Sequence, residues 1–239
     1  MLLAALALLA LVQKPPAQIS AAERPTLERV VVVGASLAAG FGARCTFAEA
    51  LTASLRAPLH PPLGLGDELF FTSPLTFGAR QIEQAVEAEP TLVVGIDFLF
   101  WFGYGTFDAR GGSIDDEAER LELLDKGLSL LDELECPLVV GDFPDMSAAV
   151  GKMISAAQMP ELSTLPLLSK RVREWAAGRE RVLVLPISEL AAKLASGKEI
   201  QVGKYTFPAG TRLLQRDQLH PTLEGLVAAS QLAFEHLIA

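Results

Sequence analysis

Residues 30–42 read Val-Val-Val-Val-Gly-Ala-Ser-Leu-Ala-Ala-Gly-Phe-Gly. Four consecutive β-branched residues leave no polar face, so Arg29 to Val33 is expected to be a strand buried on both sides, as strands of parallel sheets are. Gly34 ends the run and puts Ser36 in a glycine-rich turn that leads toward a helix. Working outward, apolar runs of the same kind stand at Glu68–Thr72, Thr91–Asp97, Pro137–Asp142 and Arg181–Pro186, which makes five strands. Helical periodicity fills the intervals at Phe47–Leu55, Ala79–Ala88, Asp115–Glu135, Leu165–Ala177 and Ser188–Ala195, and closes the chain at Leu223–Ile238. Strands that alternate with helices imply right-handed crossovers, so the expected fold is α/β, a three-layer sandwich around a five-stranded parallel sheet. No internal repeat and no second domain is found, and a single domain is expected over 23–239.

Composition agrees with one packed domain: 239 residues, 50% hydrophobic and 21% charged. The formal net charge of -9, with no basic stripe, speaks against a nucleic-acid partner. Two cysteines, Cys45 and Cys136, and three scattered histidines offer no metal-ligand spacing. Leu2 to Val12 is an uninterrupted apolar run followed by Gln13, Lys14, Pro15 and Pro16, too short to span a bilayer with ease and suited to a secretory signal. Residues 1–22 are therefore expected to be a signal peptide and linker, with small residues at Ala17 or Ser20–Ala22 for cleavage, and the protein to be secreted or periplasmic. No Lys or Arg precedes the run, which keeps a packed N-terminal helix or an uncleaved anchor as the other reading. Export would permit a Cys45–Cys136 disulfide; two free thiols are the alternative.

In open α/β sheets ligands bind where loops converge at the carboxyl ends of the strands. Ser36 lies at such an end, with backbone N–H groups nearby, although serine and glycine there are also ordinary turn residues. A phosphate loop is excluded, since neither G-x-x-x-x-G-K-[ST] nor G-x-G-x-x-G is present. Before the last helix stand Asp217, Gln218, Leu219, His220 and Pro221. An aspartate three residues ahead of a histidine can accept a hydrogen bond from one ring nitrogen and leave the other as a base, or the segment can be a plain helix entry capped by Thr222.

Taken together the two segments resemble the SGNH (GDSL-type) hydrolase family. Gly34-Ala35-Ser36-Leu37-Ala38-Ala39-Gly40-Phe41-Gly42 follows the family's first block, G-D-S-L-[ST]-x-G-[FY]-G, except at Ala35 and Ala38, and Asp217, His220, Pro221, Thr222 and Gly225 follow its last block. Phe47, Glu49 and Leu51 are similar to the helix after the family's nucleophile. The resemblance implies a flavodoxin-like five-stranded sheet. It also implies Ser36 as nucleophile, His220 as general base and then acid, Asp217 as the residue that orients it, and no cofactor. For the oxyanion hole it implies the Ser36 N–H, a glycine after the second strand, for which Gly78 fits, and the position of Asp97, where the family has asparagine. An ionised carboxylate donates no hydrogen bond, so Asp97 must be protonated to serve as that donor.

After Asp97, residues 98–107 hold six aromatic side chains. Phe98, Phe100, Trp101, Phe102 and Tyr104 could wall the crevice and bind an apolar acyl group, or pack beneath the following helix. Asp142 and Asp145 read as a turn and a helix cap, and His60 and His236 as solvated surface residues. The expected function is serine ester hydrolysis through an acyl-enzyme. The partner is a small-molecule, glycan or lipid ester, without nucleic acid and, once the leader is removed, without a membrane span. The alternatives are a domain of this fold that binds a glycan or lipid with weakened catalysis, and a flavodoxin-like binding or signalling domain.

Overall fold

The computed structural model describes residues 27–54, 60–105 and 116–238, so the expected leader at 1–22 lies outside the described residues, as do Thr106 and Phe107. Five strands form one parallel sheet: β1 (Val30–Val32), β2 (Leu63–Gly64), β3 (Leu92–Gly95), β4 (Leu138–Gly141) and β5 (Val182–Leu185), in the order β2-β1-β3-β4-β5. Val31 pairs with Val93, Val93 with Leu138, and Leu138 with Val182, which places the three central strands in the interior.

Side chains alternate across the sheet and feed two separate cores. Val31, Val33, Val93 and Val140 face one side, beneath α3 (Pro74–Glu87), α5 (Glu117–Leu131) and α6 (Thr164–Ala177). Val30, Val32, Leu92 and Val94 face the other, beneath α2 (Phe47–Ser54), α7 (Ile187–Ala195) and α8 (Leu223–Ile238). Two short helices sit at the carboxyl edge, α1 (Ser36–Ala39) after β1 and α4 (Phe100–Tyr104) after β3. The result is the expected three-layer α/β sandwich.

Three details differ from expectation. Residues 68–72, read as the second strand, form a 3-10 turn over Phe70–Thr72 that buries Phe70 against the α3 side. The true edge strand is the two-residue β2, exposed and without β-branched residues. α3 begins at Pro74, five residues before the expected start, because proline at the first helical position needs no N–H partner. An antiparallel hairpin, β6 (Ile200–Val202) with β7 (Tyr205–Phe207), turns at Gly203 outside the sheet and was not expected.

Cys45 and Cys136 are free thiols, and burial pushes both of their pKa values up. Among the described residues no helix is long and apolar enough to cross a membrane, and no cluster of three or more side chains is arranged to hold a metal ion.

Candidate active site

The turn that carries Ser36 is built around Gly34, whose φ of 145° lies outside the range that suits other residues. A β-carbon there would stand 2.1 Å from Asp97 Oδ1, so only glycine lets the ends of β1 and β3 approach this closely. The Gly34 peptide is gripped on both sides by the buried Gln81 of α3. Its N–H donates to Gln81 Oε1 at 2.8 Å, and its carbonyl accepts from Gln81 Nε2 at 2.9 Å. Ser36 follows at the first position of α1, partly exposed, and neither its Oγ nor its N–H has a hydrogen-bond partner among the described residues.

Ahead of α8, residues 213–222 fold back on themselves. Gln215 N–H donates to the His220 carbonyl at 2.8 Å, and Thr222 N–H to the Leu213 carbonyl at 3.0 Å. Asp217 Oδ1 accepts from the N–H groups of Leu219 and His220, both at 3.0 Å, while Oδ2 stands 2.8 Å from His220 Nδ1. Burial raises the Asp217 pKa, but the bonds from the His220 ring and from the two N–H groups outweigh it, and the carboxyl ends below its ordinary value. An ionised carboxylate only accepts, so Nδ1 carries the ring proton and Nε2 is left as the base. Phe41, one turn past the serine, lies with its ring centroid 4.3 Å from that of His220. Gln215, which the sequence did not single out, joins the two segments: its Nε2 donates to the carbonyls of Phe41 and Pro221 at 2.7 and 2.9 Å.

Ser36, His220 and Asp97 line one cavity of about 80 Å³ at the carboxyl edge of the sheet. Its inner wall is apolar, drawn from Ile96 after β3, Leu190, Ala191 and Leu194 of α7, and Ala229 of α8. Of the five aromatic residues proposed to bind substrate, Phe100 and Trp101 line it. Phe98, Phe102 and Tyr104 do not; all three are fully buried in the core on the α3 side. The Tyr104 hydroxyl donates to the Pro144 carbonyl and accepts from Met146 N–H, holding the 142–146 wall of the cavity. Asp142 serves as a cap, accepting from Ser188 N–H at 2.7 Å at the start of α7, and Asp145 Oδ1 accepts from Ser147 N–H at 2.9 Å. His60 is exposed, whereas His236 is half-buried with Nδ1 2.9 Å from the Leu232 carbonyl.

The expected oxyanion hole needs a correction at Gly78. Gly78 lies inside α3, away from the cavity, and a β-carbon on it would come within 3.0 Å of Leu130 and 3.2 Å of Phe98. It is a close-packing position for the aromatic core. The error follows from the misplaced second strand: the glycine after the true β2 is Gly66, which packs against Ala38 and Ala39 of α1. Asp97 is engaged through one oxygen. Its Oδ2 accepts from the N–H groups of Leu37 and Ala38 at 2.8 and 3.3 Å, capping α1, and its Oδ1 is buried with no partner. Burial raises its pKa to about 6 against the pull of the surrounding backbone N–H groups, those of Leu37 and Ala38 first. Asp97 is a positioning residue for the helix that carries Ser36.

No family model matches the sequence, and no curated protein matches it. Solved structures do. TesA superposes with a TM-score of 0.56 at 15% identity, over 88% of this chain and 98% of its own. Axe2, an acetylxylan esterase from Geobacillus stearothermophilus, gives 0.57 at 14% identity, over 88% of this chain and 94% of its own. A protein assigned to the G-D-S-L lipolytic family from Desulfitobacterium hafniense gives 0.54 at 13% identity, over 87% and 98%. The chain has the fold of the G-D-S-L (SGNH) esterases and acylhydrolases.

Proposed function

We propose that the protein hydrolyses carboxylic esters through an acyl-enzyme on Ser36. The observation that carries this reading is the convergence of Ser36 with an aspartate-buttressed His220 on one apolar cavity. His220 Nε2 takes the Ser36 hydroxyl proton as Oγ bonds to the ester carbonyl carbon. The same ring then returns that proton to the departing alcohol oxygen as the carbon–oxygen bond breaks. Water, deprotonated by His220, attacks the acyl carbon and releases the acid, and Ser36 recovers its proton. Ser36 N–H, unpaired among the described residues, is the oxyanion donor this chain offers. The Oγ–Nε2 hydrogen bond is not formed in this structure; such bonds often tighten only with substrate bound.

A fluorophosphonate probe tests the reading. It should label the wild-type protein and fail on Ser36→Ala and His220→Ala, with ester turnover reduced by roughly 10⁴-fold or more in either variant, since the group acts as a unit. Equal labelling of Ser36→Ala would remove the assignment. The second reading, a domain of this fold that binds a glycan or lipid without turnover, draws on Asp97, whose carboxyl group lines the same cavity as Ser36 and adds negative charge there when ionised. It expects ligand binding with no serine labelling.

A further inference from the structure

Arg44, Arg212 and Arg216 line a single groove with Gly42, Gln215 and Glu224. All three arginines are exposed, and among the described residues none of their guanidinium groups has a hydrogen bond or ion pair. Every other arginine among the described residues donates to a carboxylate or to a backbone carbonyl. Arg44 comes from the loop between α1 and α2, and the other two from the segment before α8, so the tertiary fold brings them together. The first residues of α8, Leu223 and Glu224, border the same groove with Thr222, whose Oγ1 accepts from Gly225 N–H at 3.2 Å. The positive end of a 16-residue helix therefore adds to three guanidinium groups that face one carboxylate, Glu224. Like charges gathered without partners repel one another, and they do so here in a chain of net charge -9.

The groove lies one side-chain layer from the proposed base. Gln215, which lines it, donates to the Phe41 carbonyl, and the Phe41 ring rests on His220. The segment 220–225 divides the two spaces: His220, Pro221 and Gly225 line the apolar cavity, while Thr222, Leu223 and Glu224 line the groove. His220 is the group that protonates the departing oxygen or sulfur, so the leaving group must emerge on the His220 side. Resting on the esterase reading above, we infer that the groove binds a phosphate group on the leaving part of the substrate. The substrate is then an acyl ester or thioester with its chain in the apolar cavity and its phosphate on the arginines.

Two matched pairs test this: 1-butyrylglycerol against 1-butyrylglycerol 3-phosphate, and S-butyrylpantetheine against its 4′-phosphate. The expected result is a preference in kcat/KM of roughly tenfold or more for the phosphorylated member of at least one pair, falling as salt is raised. The pair that responds tells whether the phosphate sits near the ester, as in a lipid headgroup, or farther away, as in a carrier thioester. Arg44→Ala and Arg212→Ala should each reduce that preference by about fivefold, and Glu224→Gln should increase it. Arg44→Ala lies outside the Asp217–His220 loop, so its effect cannot come from disturbing that loop. A preference below about twofold in both pairs, or one indifferent to all three substitutions, overturns the inference. If none of the four substrates is hydrolysed, the esterase reading is what fails. Calorimetry with Ser36→Ala protein then decides the groove: phosphate-selective binding lost in Arg44→Ala and Arg212→Ala supports it, and no such selectivity overturns it.

Discussion

Two buried side chains that carry no chemistry of their own set the position of Ser36. Gln81 accepts from the Gly34 N–H and donates to the Gly34 carbonyl at the end of β1, and Asp97 caps the helix that begins at Ser36. Neither role can be read from spacing, because both depend on which strand ends become neighbours. Asp97 does leave a signature in pH. Its folded pKa of about 6 exceeds its ordinary value of 3.8, so between those values the native state keeps a proton that the unfolded chain has released. The stability this contributes is full below pH 3.8 and is lost as pH rises through 6, by about 3 kcal/mol in total. Asparagine can accept the same two N–H bonds without ionising. The stability of Asp97→Asn relative to wild type should therefore rise by about that amount from pH 4 to pH 7 in denaturant titrations. A difference that stays flat with pH would mean that Asp97 is solvated. Gln81→Leu should lower stability by about 2–4 kcal/mol, because it strands a buried N–H and places an apolar chain against it. It should also lower kcat more than it raises KM, since it disturbs the proposed nucleophile and not the proposed acyl site.

At the scale of elements, legibility followed burial. β1, β3, β4 and β5 are buried runs of Val and Leu that could be read directly, as could the amphipathic α5, α6 and α8. β2 could not. A two-residue exposed edge strand has no periodicity, and the more apolar Leu-Phe-Phe-Thr segment beside it drew the assignment. That one displacement also put Gly78 in place of Gly66 as the glycine after the second strand. The aromatic run after β3 divides as a short helix must: Phe98 and Phe102 turn into the core, while Phe100 and Trp101 reach the cavity. The apolar wall of the cavity comes mostly from α7 and α8, whose apolar faces look like ordinary core in the sequence. A cavity of about 80 Å³ holds on the order of three water-sized groups. For nitrophenyl esters, kcat/KM should rise from acetate to butyrate by about fourfold per methylene, and level off beyond that length. Ala191→Leu fills the inner end and should return the optimum to acetate. An unchanged optimum in that variant would place the acyl chain elsewhere.

Across the whole molecule, the proposed nucleophile and base come from segments 184 residues apart, and their mutual geometry depends on how the start of the chain meets its end. The layer of α2 and α8 brings them near each other, with Ser54 Oγ 2.9 Å from Ser230 Oγ at the far side of that contact. At the site itself the joint is Gln215, whose amide nitrogen reaches Phe41 on one side and Pro221 on the other. Gly42 fits beneath it, since a β-carbon there would stand 2.6 Å from Gln215 Oε1. Two hydrogen bonds of this kind contribute about 1–3 kcal/mol, a modest share of the stability of a domain of this size. Their larger effect is on position, because an error of about 1 Å between nucleophile and base costs on the order of 10²-fold in rate. Gln215→Ala should therefore lower the melting temperature by only a few degrees while kcat falls by about 10- to 100-fold and KM stays within about threefold. Gln215→Glu keeps the size but not the donor when ionised, and its carboxylate would face two carbonyl oxygens. It should match or exceed the alanine loss at neutral pH, and recover part of it as the pH is lowered and the carboxyl gains a proton. A kcat loss that simply tracks the loss of stability in both variants would reduce Gln215 to ordinary packing, and the alignment of Ser36 with His220 would then rest on the contact of Phe41 with the histidine ring.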